Sequence, residues 1–151
     1  MIERFQSFMT GITVCYKYLQ KIKSTEMTEY GLKGSHVMCL FFLNQNESGL
    51  TAAQLCQLCA EDKAAISRNL SSLQEKGLIV TDETKKYRAL ITLTPKGKEI
   101  ALCLNGLIEQ WVSFGGDGLE DSDRAAFYRG LDIISNNLRE GAESLANTKG
   151  E

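Results

Sequence analysis

The chain has 151 residues, 43% of them apolar and 24% charged, enough to bury one core of ordinary size and too little for two. Seventeen Lys and Arg against 19 Asp and Glu leave a formal charge of −2, which excludes nucleic-acid affinity resting on bulk positive charge. Residues 1–49 carry +1, 50–100 carry +2 and 101–151 carry −5, so a polyanion should meet the middle of the chain, while the C-terminal third should face solvent or another protein.

The longest apolar runs, Val37 to Leu43 and Ile100 to Leu104, fall far short of the roughly 20 residues a spanning helix needs, so no membrane segment is expected. No basic N-terminal stretch leads into an apolar run with a cleavage site, and a cytoplasmic location is expected. Five cysteines in such a chain read as reduced thiols, since an odd count does not close a disulfide framework.

From Ile2 to about Thr28, Phe5, Phe8, Met9, Ile12, Cys15, Tyr16, Leu19 and Ile22 recur at three- and four-residue steps and predict one long amphipathic helix. Its apolar stripe is longer than a chain of this size covers by itself, so part of it is expected to pack on a partner. After Gly31 and Gly34, Ser35 to Asn44 reads as a short helix buried on most sides, with Ser35 as its cap and His36 in its first turn. Thr51 stands three residues before Gln54, a capping box that opens a helix through Leu55 and Leu58. Another helix starts at Asp62, with Ile66, Leu70 and Leu73 on one face and Lys76–Gly77 at its end. Leu78 to Thr81 and Ala89 to Thr94 are β-prone and flank a polar segment, predicting a hairpin with a charged tip. Thr94–Pro95 launches a helix with Ile100, Leu104, Leu107, Ile108 and Trp111 on its apolar face. Phe114 to Gly118 breaks it, and Asp121 or Ser122 caps a last helix striped by Phe127, Leu131, Ile134 and Leu138. The fold class is therefore mainly α with a small β-wing.

Two short helices joined by a tight turn and followed by a hairpin make a winged helix-turn-helix, whose second helix enters the major groove while the wing reaches the neighbouring backbone. With Ile66, Leu70 and Leu73 inward, a step of about 100° per residue places Ala64, Arg68, Ser71 and Glu75 outward, with Ala65 and Ser72 beside them. Small side chains around one arginine suit close approach to DNA, because Arg reaches guanine or phosphate. Lys63 at the helix start and Lys85, Lys86 and Arg88 in the hairpin add basic charge around Arg68, and the Thr51 hydroxyl offers a further phosphate contact.

The segment from Gly49 to Ile100, with "LTAAQL", "DKAAISRNLSSLQEKGLI", "YRA" and "LTPKGKEI" in order, resembles the winged-helix core of the MarR family of bacterial transcriptional regulators. The resemblance implies one domain over 1–151, with a winged helix-turn-helix core at 35–95 flanked by dimerisation helices at 1–30 and 96–146. It implies a homodimer on a pseudo-palindromic double-stranded DNA operator, acting as a repressor released by a small-molecule effector. By position, Ala64, Ala65, Ser67 and Arg68 match the groove-facing part of the recognition helix, and Arg88 matches the arginine at the base of the wing. Relatives usually carry Asp where this chain has Lys86, and the wing is about one residue short. The first groove positions, usually Ser or Thr, are here alanines that offer only methyl contacts.

Effector pockets in such relatives often lie beside the dimerisation region, which nominates Met9, Tyr16, His36 and Cys39. Some relatives sense peroxides through a cysteine of the first helix, which nominates Cys15 and an oxidant-sensing variant of the same function. Cys56 and Cys59 have CxxC spacing but sit beside Leu55 and Leu58 with no second pair, and read as core residues, as do Cys39 and Cys103. His36 is the only histidine, so neither a His-based metal cluster nor a triad assembles within one chain, and no metal and no cofactor are expected. An enzyme is not expected either, for lack of a phosphate-cradling loop, paired carboxylates in an apolar setting or a nucleophile with its base. A winged-helix module for protein contacts is the other reading, motivated by the net acidity and the altered wing.

Overall fold

The long apolar period of the N-terminal segment produces α1 (Ile2–Met27), closed by a 3₁₀ turn over Thr28–Tyr30 that ends on Gly31 in the left-handed region at φ 64°. The computed structural model describes residues 1–82, 84 and 88–149. The next elements are α2 (His36–Gln45), α3 (Ala52–Cys59), α4 (Lys63–Glu75), β1 (Ile79–Thr81) and β2 (Ile91–Leu93), then α5 (Pro95–Gly115) and α6 (Asp121–Lys149). Mainly helical, with one two-stranded antiparallel sheet, the chain has the fold class its sequence predicts. No described helix is long and apolar enough to cross a membrane.

Two compact units are formed, Met1–Ile108 and Glu109–Glu151, with α5 beginning in the first and ending in the second. In the first unit α2 packs against α3, α4 and β2, and the core gathers Val37, Leu40 and Leu43 of α2, Leu55 of α3, Ile66 and Leu73 of α4, Leu78, Ile79 and Ile91. Burying side chains of this kind contributes about 1.5–3 kcal/mol each before the entropy of ordering them is counted. The strands pair Ile79 with Leu93, Val80 with Thr92 and Thr81 with Ile91. Both are shorter than the β-prone stretches that predict them, although Thr94 N–H still donates to Leu78 O at 3.0 Å in the same register at the strand ends. A single bridge from Leu50 to Ile91, absent from the sequence reading, adds a third edge.

In the second unit Arg124 donates through Nη2 to the carbonyls of Gly116 (3.1 Å) and Leu119 (3.4 Å), holding the turn between α5 and α6. The α6 helix starts at Asp121, and Arg124 N–H donates to Glu120 O at 2.9 Å, so the first turn begins one step earlier than an Asp121 or Ser122 cap implies. The helix runs 29 residues, about 44 Å at 1.5 Å per residue, and its stripe of Phe127, Ile134 and Leu138 stays exposed within the chain. The apolar face of α1 is likewise exposed, with Phe5 at 65% and Met27 alone fully buried.

Candidate nucleic-acid interface

The two helices of the helix-turn-helix are set by their termini. Thr51 Oγ accepts the Gln54 N–H at 3.2 Å, and Gln54 Oε1 accepts the Thr51 N–H at 2.9 Å, the reciprocal box read from the sequence. The Thr51 hydroxyl also donates to Gln54 Oε1 at 3.0 Å, so its single hydrogen is already used and a phosphate contact through Thr51 has to displace that bond. The α3 helix ends on Ala60 in the left-handed region at φ 52°, with Glu61 N–H reaching back to Cys56 O. Asp62 then caps α4 by accepting the Ala65 N–H at 2.7 Å. At the far end, Gly77 at φ 68° lets Leu78 N–H donate to Leu73 O and Gly77 N–H to Gln74 O, a closed Schellman end.

Between these ends α4 presents the face that the sequence angles predict. Ile66 and Leu73 are buried, whereas Lys63, Ala64, Ser67, Arg68, Ser71 and Glu75 are exposed and Ala65 and Ser72 half-buried. The face is shallow: two alanines and two serines leave the Arg68 guanidinium as its main long-range reach, and the N-terminal turn of the helix adds exposed N–H groups beside Lys63.

The helix is fixed in roll by a residue that the sequence reading passed over. Asn69 lies on the same stripe as Ile66 and Leu73 and is nearly buried; its Nδ2 donates to Ser35 O at 3.2 Å and its Oδ1 accepts the Ser35 hydroxyl at 2.9 Å. Ser35 therefore does not cap α2 through its side chain as expected, because its hydroxyl is committed to α4. A polar residue on an otherwise apolar stripe was the available signal. A buried amide left unpaired costs about 1–3 kcal/mol, which forces this pairing and so the angle at which Arg68 points outward.

The wing is described in part. Asp82 N–H donates to Leu90 O at 2.9 Å, extending the strand ladder one step beyond Thr81–Ile91. Arg88 is exposed and sits at φ 60°, a conformation that costs a non-glycine residue about 1–2 kcal/mol. Lys85 and Lys86, the other basic residues expected at the tip, lie outside the described residues.

The four residues nominated for an effector pocket are differently disposed. His36 and Cys39 are 1% and 0% exposed, packed in the core with no surface to offer a ligand, while Met9 and Tyr16 on α1 are exposed. The physical reason is that α2 is apolar almost all round and is surrounded by α3, α4 and β2. His36 Nδ1 accepts the Lys33 N–H at 3.1 Å, and burial, then Lys33 and Lys76, hold its pKa below the ordinary histidine value. A cavity of about 220 Å³ opens elsewhere, lined by Leu43, Asn44, Glu47, Thr92, Leu93 and Lys98. Cys15 is exposed along with the α1 stripe, and Cys56 and Cys59 are half-buried rather than sealed in the core.

Residues 30–86 match the family model described as the MarR family. Solved structures share the fold: a MarR family transcriptional regulator from Listeria monocytogenes complexed with a 26mer DNA (20% identity, 87% of this chain and 89% of that one, TM-score 0.81). The transcriptional regulator SlyA is similar at 21% identity, 91% and 98% coverage and TM-score 0.84. A MarR transcriptional regulator from Methanosarcina mazei Go1 is similar at 19% identity, 89% and 91% coverage and TM-score 0.79. No curated protein matches the chain. The match to the MarR family model thus spans the helix-turn-helix, and the chain shares its fold with solved structures of MarR-type and SlyA regulators.

Proposed function

We propose that the protein is a sequence-specific DNA-binding transcriptional regulator rather than an enzyme, working in the cytoplasm as a homodimeric repressor that a small molecule releases. The observation that carries this reading is the outer face of α4: a shallow stretch from Ala64 to Ser71 around Arg68, capped at both ends and pinned in roll by Asn69. Such a face fits the major groove, where Arg reads guanine and alanine methyls meet thymine. The Listeria regulator of the same fold is crystallised with DNA, which supports carrying the role over.

A second copy of the chain is the proposed cover for the apolar stripes of α1 and α6, since rows of exposed Phe, Ile and Leu on long helices mark an interface. Two copies then present two α4 helices to two half-sites about one helical turn apart. For release, the 220 Å³ cavity beside Lys98 and Glu47 is small for a typical ligand site and suits only a compact polar effector.

The test is a titration of the purified protein against labelled DNA from its own upstream region, with scrambled competitor, at several salt concentrations. Specific retention is expected, with log affinity falling by about 0.9 per phosphate contact for each unit of log salt. Binding that ignores both sequence and salt sinks the reading and favours a protein-contact module.

A further inference from the structure

The chain passes into α2 through Lys33, Gly34 and Ser35, and this turn is wedged between two helices. On one side a Cβ on Gly34 would lie 2.9 Å from Ser24 N, so the backbone rests directly on α1. On the other, Ser35 O accepts Asn69 Nδ2 at 3.2 Å and the Ser35 hydroxyl donates to Asn69 Oδ1 at 2.9 Å, the pair that fixes the roll of α4. What closes the turn on itself is His36. Its N–H donates to Lys33 O at 3.0 Å and its Nδ1 accepts the Lys33 N–H at 3.1 Å, so one residue satisfies both backbone groups of Lys33. An imidazole nitrogen accepts only while it carries no proton, so the closure needs the neutral ring with its hydrogen on Nε2.

We propose that His36 is a positioning residue for the recognition helix: its neutral ring holds the turn from Lys33 closed, the turn presents Ser35 to Asn69, and protonation of the ring opens the turn, frees the roll of α4 and weakens the grip of Arg68 on DNA.

Protonation would set a hydrogen on Nδ1 against the Lys33 N–H, donor against donor, on a residue only 1% exposed. The surroundings oppose the charge as well. Burial disfavours the imidazolium first, and Lys33 in the turn and Lys76 at the end of α4 then repel it. Lys96 of α5 adds a further ammonium there, its Nζ donating to Lys76 O at 3.4 Å. The other elements packed on α2 offer little against this. Neither α3 nor β2 carries a charged side chain, α3 having only the thiols of Cys56 and Cys59, and α2 itself adds only Cys39. Lys63, Arg68 and Glu75 of α4 are exposed, and α1 contributes Lys23 and Glu26 around Ser24. A charged ring is relieved by reaching water, and the exposed Lys33 end of the turn is the part that gives way.

Only the effect on DNA rests on the regulator reading, so the test has two arms. His36 is the only histidine, and its ring protons report directly in a magnetic-resonance titration of the full-length chain. The Asn69 side-chain amide is expected to shift with the same midpoint, below the ordinary histidine value near 6.5. An Asn69 amide that stays still while His36 titrates, or a ring that titrates only as the whole chain unfolds, overturns the proposal. In the second arm, anisotropy reads affinity for DNA from the protein's own upstream region across neutral and mildly acid pH at fixed salt. Affinity is expected to fall on the acid side by up to about tenfold per pH unit for each chain bound, the limit for one linked proton. His36→Asn places an oxygen where Nδ1 stands, accepts the Lys33 N–H and does not titrate, so it should bind like the parent at neutral pH and lose the acid limb. His36→Leu, with no acceptor, should bind weakly at every pH. An acid limb retained in His36→Asn overturns the proposal, and if that variant does not fold the wild-type titration of Asn69 decides alone. Joint titration of His36 and Asn69 without sequence-specific binding at any pH overturns the regulator reading instead and leaves the coupling of His36 to α4 standing.

Discussion

Single residues set tolerances here that a composition count hides. A Cβ on Gly97 would lie 2.0 Å from Leu78 O, so the start of α5 rests directly on backbone at the entry to β1. Gly97→Ala is expected to cost about 1–3 kcal/mol through forced displacement, although alanine favours a helix; a chemical-denaturation midpoint that rises would refute the close approach. Thr94 works beside it: the hydroxyl donates to Gly77 O at 2.7 Å and accepts the Gly97 N–H at 3.0 Å, tying the end of α4 to the start of α5. His36 carries the pH dependence. Its folded pKa lies below the ordinary value near 6.5, because burial and two lysines disfavour the charged ring. The unfolded chain therefore binds the proton first, so this contribution to stability is complete above pH of about 6.5 and is lost as pH falls through the lower folded value. His36→Gln should flatten the thermal stability profile in that window, and an unchanged slope would assign it to other groups.

At the scale of elements, the helix-turn-helix is legible because its signals are local. Thr51 with Gln54, Asp62, and Lys76 with Gly77 each name a helix end by side-chain chemistry, and all three ends form. The outward face of α4 follows from the period alone, and Arg68→Ala should weaken operator binding by about 1–3 kcal/mol, roughly fivefold to a hundredfold, with the oligomeric state unchanged. Normal operator affinity in that variant, read by anisotropy, would remove α4 from the groove. What the sequence does not disclose is pairing at a distance. Asn69 on α4 pairs with Ser35 just ahead of α2, and neither partner carries a spacing cue for the other. Ser35 is misread as a cap for that reason: a serine before a helix has one hydroxyl, and tertiary structure here spends it on Asn69. Periodicity likewise says that His36 and Cys39 lie on α2 but not that both are buried where it packs on α3, α4 and β2.

At the scale of the whole molecule, the apolar stripes of α1 and α6 are longer than the chain itself covers, as the opening helix predicts. Leu138, 60% exposed on α6, is the simplest probe: Leu138→Glu places a charge on the stripe and is expected to shift sedimentation toward monomer while the circular dichroism of the first unit persists. A dimer that survives it places the interface elsewhere. If those stripes are closed by a second copy, the species competent on DNA grows with the square of the chain's level when dimer is scarce, so halving synthesis leaves about a quarter of it. Gene dosage then becomes an input to the switch in its own right, because the competent species follows the level of the chain more steeply than in proportion.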